Sequence, residues 1–264
     1  MTPIIDLHCD TILALHKNNE DKHLDKNSLH IDIEKLRQGG VDTQFFAVFV
    51  KLEEHPDPWA AFRLVSDRLF EELGRSPGEI AQVRSRAEME DAARSGKISA
   101  FLTIEEGQVV AGDPRRLEEA YERGVRLVTL TWNYENSLGF PNFQWTHREN
   151  GLKPEGKEIV ERMNDLGMLI DVSHLSDAGF NDVAELSKQP FIASHSNARE
   201  QCGHYRNLTD GMIRRIADSG GVVGLNFCPA FLNGTESASL EDMTRHMLHI
   251  RDVGGAEVTA LGSD

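Results

Sequence analysis

The side chains best suited to metal binding or proton transfer each follow a short apolar run. His8 and Asp10 follow IIDL, and Glu105-Glu106-Gly107 follow AFLTI. His174 comes after LIDV, His195 after FIA, and Asp264 after ALG. His8 and Asp10 are two apart, so on extended chain both project to one side. One imidazole and one carboxylate aimed together suit a borderline ion such as zinc. His174 and His195 add two imidazoles, and a glutamate of the 105–106 pair adds a carboxylate able to bridge. A mononuclear catalytic zinc site usually takes three protein ligands, and this set exceeds that number. Two ions ~3.5–4 Å apart, sharing a carboxylate and a water, would use all of them. Alone, a histidine at a strand end is ordinarily a hydrogen-bonded structural residue, and an H-x-D pair is a weak motif. The inference rests on their joint placement after separate runs. Residue types leave Glu105 and Glu106 open as alternatives.

Such placement needs a scaffold that gathers strand ends. Short β-rich runs fall at residues 3–8, 44–50, 100–104, 126–131, 169–172, 191–193, 221–226 and 258–261. Most are continuously apolar, as in parallel strands buried on both faces. Between them lie helical stretches at 57–73, from 113 onward, and at 157–166, 176–187, 209–219 and 239–253. Capping Asp, Ser or Thr residues open most of these, and Gly167 stops one. Alternating strands and helices specify a parallel sheet. Eight strands over this length fit a closed (β/α)8 TIM-type barrel, whose strand C-termini converge on one face. A doubly wound open sheet is the rival, but the usual glycine-rich phosphate loop after the first strand is missing.

Composition narrows the function classes. The 264 residues are 39% hydrophobic and 27% charged, an ordinary globular balance. Lys and Arg number 28 against 43 Asp and Glu, giving a net charge of −15. That field repels phosphate backbones, so no nucleic-acid partner is expected. No apolar run approaches the ~20 residues of a membrane helix, so no membrane partner is expected either. Cys9, Cys202 and Cys228 are too few and too scattered for a disulfide framework or a thiolate zinc site. The expectation is a soluble, cytoplasmic protein, with a homodimer as the base-rate oligomer. Cys9 should face away from its neighbours as a buried thiol. His246 and His249 read as packing or surface residues, while His147 and His204 lie in loops able to reach the barrel mouth.

Several segments together resemble the membrane dipeptidase (renal dipeptidase) family of metallopeptidases, peptidase family M19, within the amidohydrolase-like barrels. They are IIDLHCDT (4–11), EEGQ (105–108), RLVTLTWNYEN (126–136), GMLIDVSHLS (167–176), PFIASHSNAR (190–199), RNLTD (206–210), GGVVGLNF (220–227) and ALGSD (260–264). They occur in family order and cover essentially the whole chain. The resemblance implies a binuclear zinc site, with His8, Asp10 and a bridging glutamate on one ion and that glutamate, His174 and His195 on the other. The family's glutamate directly precedes a glycine, which selects Glu106. Asp264 matches the catalytic acid/base, and Arg206 matches the residue that binds the substrate's terminal carboxylate. A planar guanidinium meets a carboxylate bidentately and suits that task.

The activity implied is hydrolysis of dipeptides, including those ending in a D-residue, through a hydroxide bridging the two zincs. Lactone, amide or phosphoester hydrolysis on the same metals is the enzymatic alternative, and a catalytically silent metal-binding protein is the other. Two departures stand out. Where the mammalian enzyme carries a histidine in an L-T-H segment, this chain has Trp132, followed by Asn133, and both are candidate substrate contacts. The sequence also stops at Asp264, whereas the family continues into a C-terminal helical region. A single barrel domain spanning 1–264 and cut short after its eighth strand would leave apolar faces uncovered, with low solubility and weak activity expected.

Overall fold

A computed structural model of the chain describes residues 4–17 and 22–264. Its strands are β1 (Ile4–Asp6), β2 (Val41–Phe49), β3 (Ile80–Gln82), β4 (Ile98–Glu105), β5 (Val125–Thr129), β6 (Leu169–Asp171), β7 (Val223–Leu225) and β8 (Thr259–Leu261). All pair in parallel, in the order β6-β5-β4-β2-β1-β8-β7. The curled sheet is joined at its two ends by the segment 191–193, through single bridges Asp171↔Ile192 and Ala193↔Val223. This is the (β/α)8 TIM-type architecture expected, with one position in the ring filled by a bridge segment rather than a regular strand.

β3 is an addition that the sequence reading omits. It pairs with the first residues of β4, on the edge that β5 takes over from Leu102. Pro3, where the first run was expected to begin, lies outside the described residues. Helices Pro58–Arg75, Pro114–Arg123, Asp177–Leu186, Asp210–Asp218 and Leu240–Gly254 sit where capping residues announced them. Asp57, Asp113, Ser176, Thr209 and Ser239 each accept a first-turn N–H. Two further helices, Ile33–Gly39 and Arg86–Arg94, are capped by Asp32 and Ser85. Among the described residues, no helix is long and apolar enough to cross a membrane.

Strand alternation builds two apolar layers. Ala100, Leu102 and Ile104 of β4 face outward into the large core beneath the helices. Phe101 faces inward, stacked on Phe45 at 4.6 Å, in a smaller cluster with Leu7, Leu127 and Ile192 that fills the barrel. The same alternation points Glu105 inward at the end of β4. Two glycines fix the segment carrying His195. A Cβ on Gly224 or Gly262 would lie 1.9 or 1.8 Å from the Ser194 carbonyl oxygen. Only hydrogen side chains there let the Ser194 carbonyl, just before His195, approach the backbone at the two glycines so closely.

Candidate metal centre

His8, Glu105, His174 and His195 converge in the barrel mouth, all buried. One oxygen of Glu105 faces His8 Nε2 at 3.4 Å, and the other faces the Nε2 atoms of His174 and His195 at 3.3 and 3.5 Å. The His174 and His195 Nε2 atoms are 3.1 Å apart. Asp264 completes the ring, 3.7 Å from His8 Nε2, and its other oxygen accepts from Asn226 at 2.8 Å. His8, Asp10 and Asp264 bring their ligand atoms within 4.8 Å of one another, as do His8, Glu105 and His195.

Glu106 is not in this group, which corrects the choice between the two glutamates. β4 ends at Glu105, and Glu106 turns away with φ 89° and ψ 95°, a conformation rare outside glycine. Its carboxylate accepts the backbone N–H groups of Gln108 and Trp132 and the side-chain amide of Asn136. Burial pushes its pKa up to about 7, against the pull of those donors. Glu106 therefore ties the turn after β4 to the loop after β5, and Glu105 is the residue among the histidines. The family's E-G spacing misleads because this chain places a non-glycine residue at the left-handed position itself.

The proton positions are informative. His174 Nδ1 lies 3.0 Å from Asn133 Oδ1, an oxygen that can only accept, so His174 carries its hydrogen on Nδ1. His195 Nδ1 lies 2.7 Å from Ser194 Oγ, whose hydroxyl is donated to Asp171. Two Nε2 lone pairs and a carboxylate oxygen thus face one another, a repulsive set without a cation between them. On the other side, both His8 nitrogens and Asp10 Oδ1 are buried without a hydrogen-bond partner. Native proteins seldom leave such groups unpaired unless something else satisfies them. Imidazole and carboxylate are the donors that zinc prefers, so the residues fit divalent metal.

Charge follows the same division. Burial disfavours a proton on His8, but Glu105, Asp264 and Asp10 outweigh it and raise the pKa to about 10. Burial and the Glu105 charge push Asp10 up to about 8. Burial and the nearby Arg206 drive His174 down to about 3, and burial with the His8 charge lowers His195. Glu105 stays well below the usual carboxylate range despite burial, because His8, His174 and His195 crowd it. Asp264 is likewise held low against burial, by His195 and His8.

A cavity of about 210 Å³ opens over these residues, its wall including Phe49, Trp132, Asn133, Tyr205, Arg206 and Phe231. Trp132 packs against Phe49 and Tyr134 with ring centroids 4.7 and 5.0 Å apart. Asn133 reaches the same wall with its oxygen committed to His174. Arg206 is buried, donating to the His195 carbonyl at 3.0 Å, while its Nε has no partner. A larger cavity of about 640 Å³ adjoins, sharing Asp10 and Asp264. His204 instead stacks on Tyr205 and Phe231, His147 packs on Phe140, and fully buried His246 bonds to Ala198 and Leu232. Cys9 is buried in the outer core. Sequence reasoning missed Asp171, Ser194 and Asn136, the buried polar residues that hold the ligands and loops in place.

The family model for membrane dipeptidase (peptidase family M19) matches residues 1–264. The chain belongs to peptidase family M19. Members of the M19 family are metal-dependent peptidases, in keeping with the donor set in the barrel mouth. An uncharacterized dipeptidase of Schizosaccharomyces pombe is 32% identical over 286 residues, covering 99% of this chain and 69% of the relative. A second from the same yeast is 33% identical over 251 residues, covering 89% of this chain and 60% of the relative. The chain thus spans 69% and 60% of the length of these two curated relatives. A solved metallo peptidase from Rhodobacter sphaeroides, liganded with a phosphinate mimic of the dipeptide L-Ala-D-Ala, superposes with TM-score 0.91. It is 28% identical, and the match covers 99% of this chain and 85% of that one.

Proposed function

We propose that this M19 chain hydrolyses the peptide bond of dipeptides with two zinc ions in the barrel mouth. His8, Asp10 and one oxygen of Glu105 would hold the first. The other Glu105 oxygen, His174 and His195 would hold the second. The observation that carries this reading is the division of Glu105 between two sets of nitrogen donors. Zinc bound there would supply a Lewis acid for the scissile carbonyl and acidify a water to a pKa near neutrality.

The chain's own residues supply the remainder. Asp264 is anionic at neutral pH and faces the ligand ring, so it can accept the water's proton and deliver it to the departing amine. Such a group contributes ~10²–10⁴ in rate. Asn226 holds the second Asp264 oxygen and keeps the first turned toward His8. Arg206 is the fixed cation on the cavity wall and would bind the free carboxylate of the substrate, restricting the site to short peptides and orienting the bond. Phe49, Trp132, Tyr205 and Phe231 form the aromatic part of the cavity wall, alongside the charged and polar residues. Dipeptides ending in a D-residue are included, supported by likeness to the Rhodobacter protein solved with an L-Ala-D-Ala mimic.

The test measures metal content per chain and hydrolysis of L-Ala-D-Ala and of L,L-dipeptides, before and after chelation. Lactones and p-nitrophenyl phosphate run in parallel. Two zincs per chain, with dipeptide turnover lost on chelation and restored by zinc, is the expected result. Turnover of a lactone or phosphoester alone, or full metal loading with no turnover, overturns it. Replacing Arg206 with Lys should raise KM ~10–100-fold with kcat little changed, the cost of one bidentate charged contact.

A further inference from the structure

Beneath the candidate ligands lies a second buried polar layer, centred on Asp171 at the end of β6. One of its oxygens accepts the backbone N–H groups of Ser173 and Ser194 at 3.0 and 2.8 Å. The other accepts the hydroxyls of Thr129 and Ser194 at 2.6 and 2.5 Å. Asp171 and Ser194 are fully buried and line neither cavity. An ionised carboxylate can only accept, so the single hydroxyl hydrogen of Ser194 goes to Asp171. The Ser194 oxygen, 2.7 Å from His195 Nδ1, is then an acceptor. His195 must carry its hydrogen on Nδ1, which leaves Nε2 as a lone pair toward Glu105 and His174.

We propose that Asp171 and Ser194 act together as a tautomer lock, positioning residues that decide which nitrogen of His195 is offered to metal. The proposal rests on the reading that His195 Nε2 is a ligand. It assigns these buried groups a purpose beyond packing. Outer partners of ligating histidines fix the tautomer and ring orientation, and losing one costs ~10–100-fold in metal affinity.

The hydrogen count makes an unusual forecast for Asp171→Asn. The two backbone N–H groups at one oxygen hold the new amide with its oxygen toward them. Its NH₂ then faces the hydroxyls of Thr129 and Ser194. The Ser194 oxygen now accepts from the amide, and its hydrogen swings to His195 Nδ1. His195 is forced to protonate Nε2, the ligand atom. Ser194→Ala instead removes the lock without imposing the wrong tautomer.

The experiment reads tautomers directly, by long-range ¹H–¹⁵N correlation on ¹⁵N-histidine-labelled, metal-free protein, and zinc affinity by chelator competition. Expected are Nδ1–H on His195 in the wild type and Nε2–H in Asp171→Asn. Zinc affinity should fall ~10-fold in Ser194→Ala and ~100-fold in Asp171→Asn. The double variant should bind zinc more tightly than Asp171→Asn alone, because the misdirected hydroxyl is gone. A purely structural Asp171 would leave the double variant no better than the single. Nδ1–H persisting on His195 in Asp171→Asn overturns the proposal, as does a double variant no tighter than that single one. If Asp171→Asn does not fold, Ser194→Ala decides: wild-type affinity with pure Nδ1–H overturns the lock. A wild type that takes up no zinc would sink the metal reading, while the spectra still decide the tautomer lock.

Discussion

The two halves of the barrel mouth are built differently. In the half made by His174 and His195, each ring has its Nδ1 tied down, one by Asn133 and the other by Ser194 over Asp171. Both histidines are neutral donors before any ion arrives. In the half made by His8 and Asp10, both ring nitrogens and one carboxylate oxygen are buried with no hydrogen-bond partner. What faces His8 there are the carboxylates of Glu105, Asp264 and Asp10, which raise its pKa against burial. Preorganisation is therefore unequal, and the two candidate positions should fill and empty unequally.

The hardest blow to this comparison is Glu105→Ala, because Glu105 belongs to both halves. It should strip zinc from both, with a loss of affinity beyond the ~100-fold that an outer partner costs, and abolish dipeptide turnover. Metal retained at either half would show that Glu105 does not join them. Next, graded chelation should remove metal from the His8 half first, with affinities at least ~10-fold apart, and His8→Ala should retain one equivalent. Simultaneous release would erase the distinction. Smaller still, Asn133→Ala should weaken the His174 half ~10-fold and narrow the gap between the two release steps.

The least effect is expected from Asp177, which braces the pinned half from behind. It lies in the first turn of the helix after His174 and accepts from Arg199 at 2.9 and 2.8 Å and from Arg148 at 2.8 Å. Those cations hold its carboxyl below the usual range even though partial burial opposes them. A depressed carboxyl stabilises the fold fully above the ordinary carboxylate pKa and loses that contribution as pH falls through its lower folded value. Asp177→Asn should cost ~1–2 kcal/mol at pH 7 in denaturant unfolding. The difference from wild type should shrink below about pH 4, with zinc affinity unchanged.

The strands and the ends that bear His174 and His195 were legible because apolar runs and capping residues announce themselves locally. His8 and Asp10 were found by their spacing, although the regular strand already ends at Asp6, where the Asp6 carboxylate accepts from His8 and Ser263. Glu105 could have been chosen over Glu106 by counting back in twos to Phe101, which packs inside the barrel. The E-G spacing pointed the other way because a backbone turn is invisible in residue types. Asp171 and Ser194 escaped notice for a different reason. Their importance lies in a pairing across strands, and nothing within either segment marks it.

Glu106, His174 and Asp264 all hold positive φ, at 89°, 67° and 67°, and none is glycine. Each such residue costs on the order of 1–3 kcal/mol, held in place by its surroundings. A laboratory selection on heat resistance alone would drift toward glycine or asparagine at His174 and Asp264, but not at Glu106, whose carboxylate accepts three hydrogen bonds. The survivors would work worse, since the imidazole and the carboxylate held at those torsions would be gone.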